Sequence, residues 1–271
     1  MTILVTGATG NVGRHLVAQL VESGHRVRAS SRNPATANLP AEAEVVAGDL
    51  TDATSLASAF DGVTAAHLIN FNGADGSPLT NGAEILAAAK GVEKVTILKG
   101  ERDKSPLEEA VEASGLEWTA IAPGEFMSNV LEWADSIRTE GVVREAFGDV
   151  QSAMVHDADI AAVAATALTT PGHAGKLYMV TGPEALTHAD KVRILSEVLG
   201  RDIKYVELSR DEAVQRWREL GYADEFIAFF LDLMDNPVEE ARTAQPTVER
   251  VTGKPARPFA QWVRENAAAF S

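Results

Sequence analysis

The residues Thr2-Ile3-Leu4-Val5-Thr6-Gly7-Ala8-Thr9-Gly10-Asn11-Val12-Gly13 decide the fold. Thr2 to Thr6 is a short, β-rich apolar run. Leu16, Val17, Leu20 and Val21 then recur at helical spacing within Arg14 to Ser23, and Gly24 ends that helix. Glycines between a strand and a helix suit a phosphate-binding turn. Gly7 permits the tight turn, Gly10 lets backbone approach a pyrophosphate, and Gly13 lets the helix pack on the strand. The helix N-terminus adds N–H groups and a partial positive charge. The competing reading is a glycine-rich turn with no ligand, and the strand–turn–helix context disfavours it.

Outward from this loop the pattern repeats. Strands are expected at Val27–Ser31, Glu44–Ala47, Ala65–Asn70, Val95–Leu98 and Trp118–Ala122, with helices at Thr54–Phe60, Gly82–Lys90 and Leu107–Ser114. Alternating strands and helices predict βαβ units and a Rossmann-type, doubly wound parallel sheet. After Pro123 the rhythm changes. Helices are expected at Val130–Thr139, Asp159–Leu168, Ala189–Leu199, Asp211–Leu220 and Glu225–Met234, and strands at Lys176–Val180 and Lys204–Leu208. The Asn236-Pro237 pair breaks the chain, and the tail from Pro246 holds a loop and one closing helix. The division expected is a dinucleotide-binding part, 1–125, completed by later strands, and a smaller interleaved α/β substrate part, 126–271, sharing one core.

Composition narrows the function. Within 271 residues, 24 Lys and Arg face 39 Asp and Glu, a formal net charge of −15. That balance argues against nucleic acid and against anionic membrane surfaces. Without cysteine, disulfides, thiolate nucleophiles and Cys-based zinc sites are excluded. His15, His25, His67, His156, His173 and His188 show no paired metal-ligand spacing, and no Gly-x-Ser-x-Gly elbow supports a hydrolase. No apolar run nears the ~20 residues of a membrane span. Met1 to Val5 lacks a basic flank, so a soluble, cytoplasmic protein is expected. No long exposed apolar helix is read, the acidic surface opposes nonspecific association, and a monomer is expected.

Thr6-Gly7-Ala8-Thr9-Gly10-Asn11-Val12-Gly13 is spaced G-x-x-G-x-x-G and resembles the loop of atypical short-chain dehydrogenase/reductases. Gly48-Asp49-Leu50 resembles their adenine-contacting turn. Ser114-Gly115-Leu116-Glu117-Trp118-Thr119, Pro123 to Asn129 and Asp157-Ala158-Asp159-Ile160-Ala161 resemble stretches of the NmrA-like subgroup. The resemblance spans the whole chain. It implies nicotinamide-dinucleotide contacts at Gly7, Thr9, Gly10, Asn11, Val12, Gly13, Asp49 and Leu50, and at Ile69 and Asn70 where the fourth strand ends. Ala122 departs from it, because relatives commonly carry arginine there.

At the end of the second strand an NAD site usually places an acid. Here the sequence reads Ser30-Ser31-Arg32-Asn33-Pro34. The fork of Arg32 suits a 2′-phosphate and Ser31 adds a hydroxyl, so NADP(H) is expected over NAD(H). A surface arginine ending a strand is the alternative. Catalytic members of the superfamily carry Tyr-x-x-x-Lys on the helix after the fifth strand. Here Ser105 and Glu109 stand near that spacing, and Tyr178, Tyr205 and Tyr222 all lie elsewhere. The usual serine ending the fifth strand is replaced by Lys99, which is therefore the candidate catalytic residue; the alternative is a lysine reaching solvent from a strand end. The run Glu101-Arg102-Asp103-Lys104 reads as a solvated loop.

In this fold class the ligand crevice lies outside the carboxyl ends of the strands. Phe71, Asn72, Phe126, Met127, Asn129, Trp133 and His156 are the candidate substrate contacts. Aromatic and methionine side chains suit a flat apolar molecule, although Met127 and Trp133 equally suit core positions and His156 a structural hydrogen bond. Two functions fit: an NADPH-dependent reductase of a conjugated carbonyl or quinone-type small molecule, and a non-catalytic NADP(H)-binding sensor. The aromatic substrate part favours the reductase.

Overall fold

The computed structural model describes residues 1–73, 77–100, 103–236 and 238–271. Glu101 and Arg102 of the charge run, and Pro237 of the expected chain break, lie outside the described residues. The fold divides into two units: 1–123 with 157–179 and 247–254, and 124–156 with 180–246 and 255–271. No described helix is long and apolar enough to cross a membrane.

In the first unit, Ile3, Leu4 and Val5 of β1 (Thr2–Val5) and Ala65 to Leu68 of β4 (Ala65–Ile69) are fully or almost fully buried. Continuous burial along a strand marks a parallel sheet covered on both faces. β2 (Arg26–Ser31), β3 (Glu44–Ala47), β5 (Lys94–Leu98), β6 (Glu117–Pro123) and β8 (Lys176–Val180) complete a seven-stranded sheet ordered β3-β2-β1-β4-β5-β6-β8. Register is parallel, with Ile3 beside Val27 and Ala65, and Leu68 beside Ile97. The order reverses between β1 and β4, and there such sheets bind dinucleotides.

Helices α1 (Asn11–Glu22), α2 (Gly82–Ala88), α3 (Pro106–Ala113), α5 (Asp157–Thr169) and α10 (Thr247–Thr252) cover this sheet. Helix α1 packs against α5, and Gln19 Nε2 donates to the Ala158 carbonyl at 2.9 Å. Helix α1 starts at Asn11 rather than Arg14, because Gly10 is already the extended N-cap. The helix expected at Thr54–Phe60 is a single 3₁₀ turn, Ala53–Leu56. Asp52 takes the Thr54 N–H and hydroxyl, at 3.0 and 2.6 Å, and Ser55 bonds the Asp49 and Asp52 carbonyls. Such short polar side chains compete with helical backbone bonding.

The second unit holds α4 (Ala134–Glu140), β7 (Val142–Ala146), α6 (His188–Leu199), β9 (Lys204–Leu208), α7 (Arg210–Glu219), α8 (Asp224–Asp235), α9 (Glu239–Arg242) and α11 (Phe259–Glu265). Its buried side chains Met127, Val130, Trp133, Ile137, Val143, Leu195, Phe259, Trp262 and Phe270 form a hydrophobic cluster. Strand β7 was not expected, since Arg144 and Glu145 interrupt its apolar pattern; it pairs in parallel with β9. The helix expected from Val130 is a 3₁₀ segment, Met127–Trp133, followed by α4. Instead of one closing helix, the tail forms α10, α11 and a 3₁₀ turn at Ala267–Phe270. Leu220, Phe226 and Phe229 are exposed around α7 and α8.

Candidate dinucleotide site and strand-end network

The glycine-rich loop is shaped by steric necessity. Gly7 has φ +59°, in the left-handed region, and the Gly10 N–H donates to its carbonyl at 2.9 Å. A Cβ on Gly13 would lie 2.1 Å from that same oxygen, which no side chain survives without backbone movement. Gly10 offers no side chain to cap α1, and the first turn carries no acid. The helix start is thus built for an anion brought from outside. Arg14, one turn along, folds back so that Nε and Nη2 donate to the Gly10 and Thr9 carbonyls, both at 3.1 Å. It braces the loop and brings a positive charge to it, a role the sequence reading missed.

The remaining expected cofactor residues fall around the same sheet edge of this unit. Thr9 and Asn11 are exposed, and Val12 is buried under the helix start. Ile69, at the end of β4, lies against Gly7. Ser31 is buried and its Oγ accepts the Asn33 N–H, whereas Arg32 projects from the end of β2 with its side chain exposed. The Asp49 Oδ1 accepts the Thr51 N–H and hydroxyl at 2.9 and 2.8 Å, closing a local turn, and the Leu50 carbonyl accepts from Asn81. Beneath the edge, His67 is wholly buried and burial lowers its pKa to about 4; its Nδ1 is 2.8 Å from the Thr96 hydroxyl.

At the ends of β4 and β5 the structure differs from a site with a free lysine. The Lys99 ammonium donates to Glu108 Oε1 at 2.5 Å and to the Asp103 carbonyl at 3.2 Å. Its side chain is 9% exposed and that of Glu108 6%. Lys99 is thus held in a buried ion pair and does not reach solvent from the strand end. Glu108 was not singled out from the sequence. Its mark was the Ser105-Pro106-Leu107-Glu108 spacing, a capping box that the structure forms at the start of α3. Burial pushes the Glu108 carboxyl up, but hydrogen bonds from Lys99 and Ser105 outweigh it, and the pKa lies below the usual value. Phe71 is half-buried, and its ring packs where a Cβ on Gly100 would stand.

Asn72, next to Phe71 in the first unit, donates its N–H to the Ser77 carbonyl at 2.7 Å, whereas Phe126, Met127, Asn129, Trp133 and His156 belong to the second unit. Met127 and Trp133 are 1% and 7% exposed and sit in its core, the alternative considered for both. The Trp133 Nε1 donates to Glu145 Oε1 at 2.7 Å, and burial raises the Glu145 carboxyl. Burial also lowers the nearby His188, to about 4, and its ring meets Trp133 edge-on. His156 is buried with Nε2 3.0 Å from Glu265, the structural alternative considered for it. Phe126 is half-buried in a bridge to Val155, and Asn129 is exposed. Two residues of this unit that sequence reading missed, Lys191 and Glu125, form an ion pair at 2.7 Å.

A glycine loop feeding a helix N-terminus, beside the order reversal of a parallel sheet, defines a dinucleotide-binding Rossmann protein. Residues 7–99 match the NAD(P)H-binding family model. The chain is 38% identical over 283 residues to a (4-alkanoyl-5-oxo-2,5-dihydrofuran-3-yl)methyl phosphate reductase of Streptomyces griseus, covering 99% of both chains. It is 34% identical to an NAD(P)H azoreductase of Xenophilus azovorans, again over 99% of both. The NADPH-dependent quinone oxidoreductase of Escherichia coli, solved with NADPH, superposes with a TM-score of 0.80 at 25% identity, covering 98% of this chain and 99% of that one. The chain belongs to the NAD(P)H-binding, NmrA-like family of atypical short-chain oxidoreductases.

Proposed function

We propose that this protein reduces a conjugated carbonyl or quinone-type small molecule with NADPH. The loop from Gly7 to Gly13 and the start of α1 would hold the pyrophosphate, and Arg32 with Ser31 the 2′-phosphate. The fit rests on the left-handed turn at Gly7, on the start of α1 with no capping side chain and no acid in its first turn, and on the exposed guanidinium at the end of β2. Bound there, the cofactor would supply a hydride. The balanced reaction for a quinone is NADPH, a proton and quinone giving NADP⁺ and hydroquinone.

The observation that carries the substrate class is the pairing of Lys99 with Glu108. Among the described residues at the ends of β4 and β5, the one ammonium is already neutralised, and the superfamily's Tyr-x-x-x-Lys pair is absent from α3. A positioned acid typically contributes ~10²–10⁴-fold. Without it, hydride transfer suits acceptors that delocalise the charge they gain and take their proton from water. Quinones and conjugated enones do so; aliphatic ketones do not. The relatives named above are reductases, which supports turnover over a sensor that only binds. The test is NADPH oxidation, followed by absorbance, across quinones, enones and aliphatic ketones. Turnover confined to the first two supports the reading, and binding of NADPH with no turnover of any of them rejects it.

A further inference from the structure

We propose that Glu108 is the positioning residue of the nicotinamide end, and that Lys99 serves as its counter-ion and not as an acid. The inference rests on the reading above, that the ends of β4 and β5 face the nicotinamide.

One carboxylate gathers three elements. Glu108 Oε1 takes the Lys99 ammonium from the end of β5. Oε2 accepts the Ser105 N–H and hydroxyl, both at 3.0 Å, at the start of α3, and the Asn70 side-chain amide at 3.3 Å, from the end of β4. Asn70, itself fully buried, accepts the Gly100 N–H at its Oδ1, at 2.8 Å. The ends of the two neighbouring strands are therefore fixed to each other and to α3 through Glu108. Phe71 follows Asn70 and packs on Gly100, so the ring shares the constraint. An ion pair this buried is costly to break from one side, since the survivor is left charged without a partner. Neutralising both partners together removes that penalty. A latch thus predicts strong coupling between the two residues, whereas an acid predicts that loss of Lys99 is harmful whatever stands at 108.

The experiment compares wild type, Lys99→Met, Glu108→Gln and the double variant. Four readouts apply: thermal midpoint, NADPH dissociation constant, single-turnover rate with a quinone, and the pH profile of that rate. Each single variant is expected to lower the midpoint and to weaken NADPH or slow turnover by at least about fivefold, with the double recovering most of both losses, as coupled neighbours do. Its pH profile should match wild type. A double variant that is stable and binds NADPH, yet loses ~10²-fold or more in rate together with its basic limb, makes Lys99 the acid and overturns the proposal. So do strictly additive losses, or lowered midpoints with unchanged affinity and rate, which reduce the pair to a stability element. If wild type itself reduces no quinone, the proposed function fails, while coupling in midpoint and NADPH affinity still decides the latch.

Discussion

A Cβ on Gly13 would stand 2.1 Å from the carbonyl oxygen of Gly7, and one on Gly10 would stand 3.1 Å from the same atom. The two glycines therefore fail differently. Gly13→Val must move the loop backbone and is expected to destabilise the fold by about 1–3 kcal/mol or more, as overpacking does. Gly10→Val needs only a shift of a few tenths of an ångström. It should stay folded and lose NADPH binding, because its side chain stands where backbone meets pyrophosphate. Urea titration with NADPH fluorescence on both variants checks this; full NADPH affinity in a folded Gly10→Val contradicts it.

Arg32 separates the two nicotinamide cofactors. A charge-assisted bond from a guanidinium to a 2′-phosphate is worth about 1.5–3 kcal/mol. Arg32→Ala should therefore weaken NADPH by roughly ten- to a hundredfold and leave NADH unchanged. Calorimetric titration with both cofactors reads the difference. Equal losses for both would place Arg32 outside 2′-phosphate recognition.

His67 makes stability depend on pH. Its folded pKa is about 4, lowered by burial, against an ordinary 6.5 when unfolded. The unfolded chain thus binds the proton more readily. Stability from this group is complete above pH 6.5 and is lost as pH falls toward 4, by on the order of 3 kcal/mol. His188 is shifted the same way and adds to the slope. Urea midpoints at pH 7.5 and 5 should differ, and His67→Gln should remove part of the difference. An unchanged pH slope in that variant would show that His67 titrates alike in the folded and the unfolded chain.

Trp133 is expected to matter for stability. Trp133→Phe removes the donor to the buried Glu145 and should cost about 1–3 kcal/mol in thermal unfolding. A variant as stable as wild type would mean that water satisfies Glu145 unaided.

The dinucleotide half could be read locally, because its determinants are contiguous: strand, Gly7, Gly10, Gly13, then helix. The strands from Val27 to Ala122 also followed from short apolar runs, since parallel strands are buried on both faces. The network at the strand ends could not. Asn70, Lys99 and Glu108 are separated by up to 38 residues, and only closure of the sheet brings them together. Lys99 looked free because its partner sits on the next helix. Trp133 looked like a cleft residue because an aromatic side chain reads alike in a core and in a pocket. Strand β7 escaped because Arg144 and Glu145 stand in a five-residue strand.

We propose above that this chain reduces conjugated acceptors with NADPH and without a positioned acid. The direct measurement is single-turnover NADPH oxidation in a stopped-flow spectrometer, with enzyme in excess, using a benzoquinone, a conjugated enone and an aliphatic ketone. Rapid oxidation is expected with the quinone or the enone, and none with the ketone. Rapid reduction of the aliphatic ketone would reveal a proton donor other than the described residues at the ends of β4 and β5, and would contradict this reading.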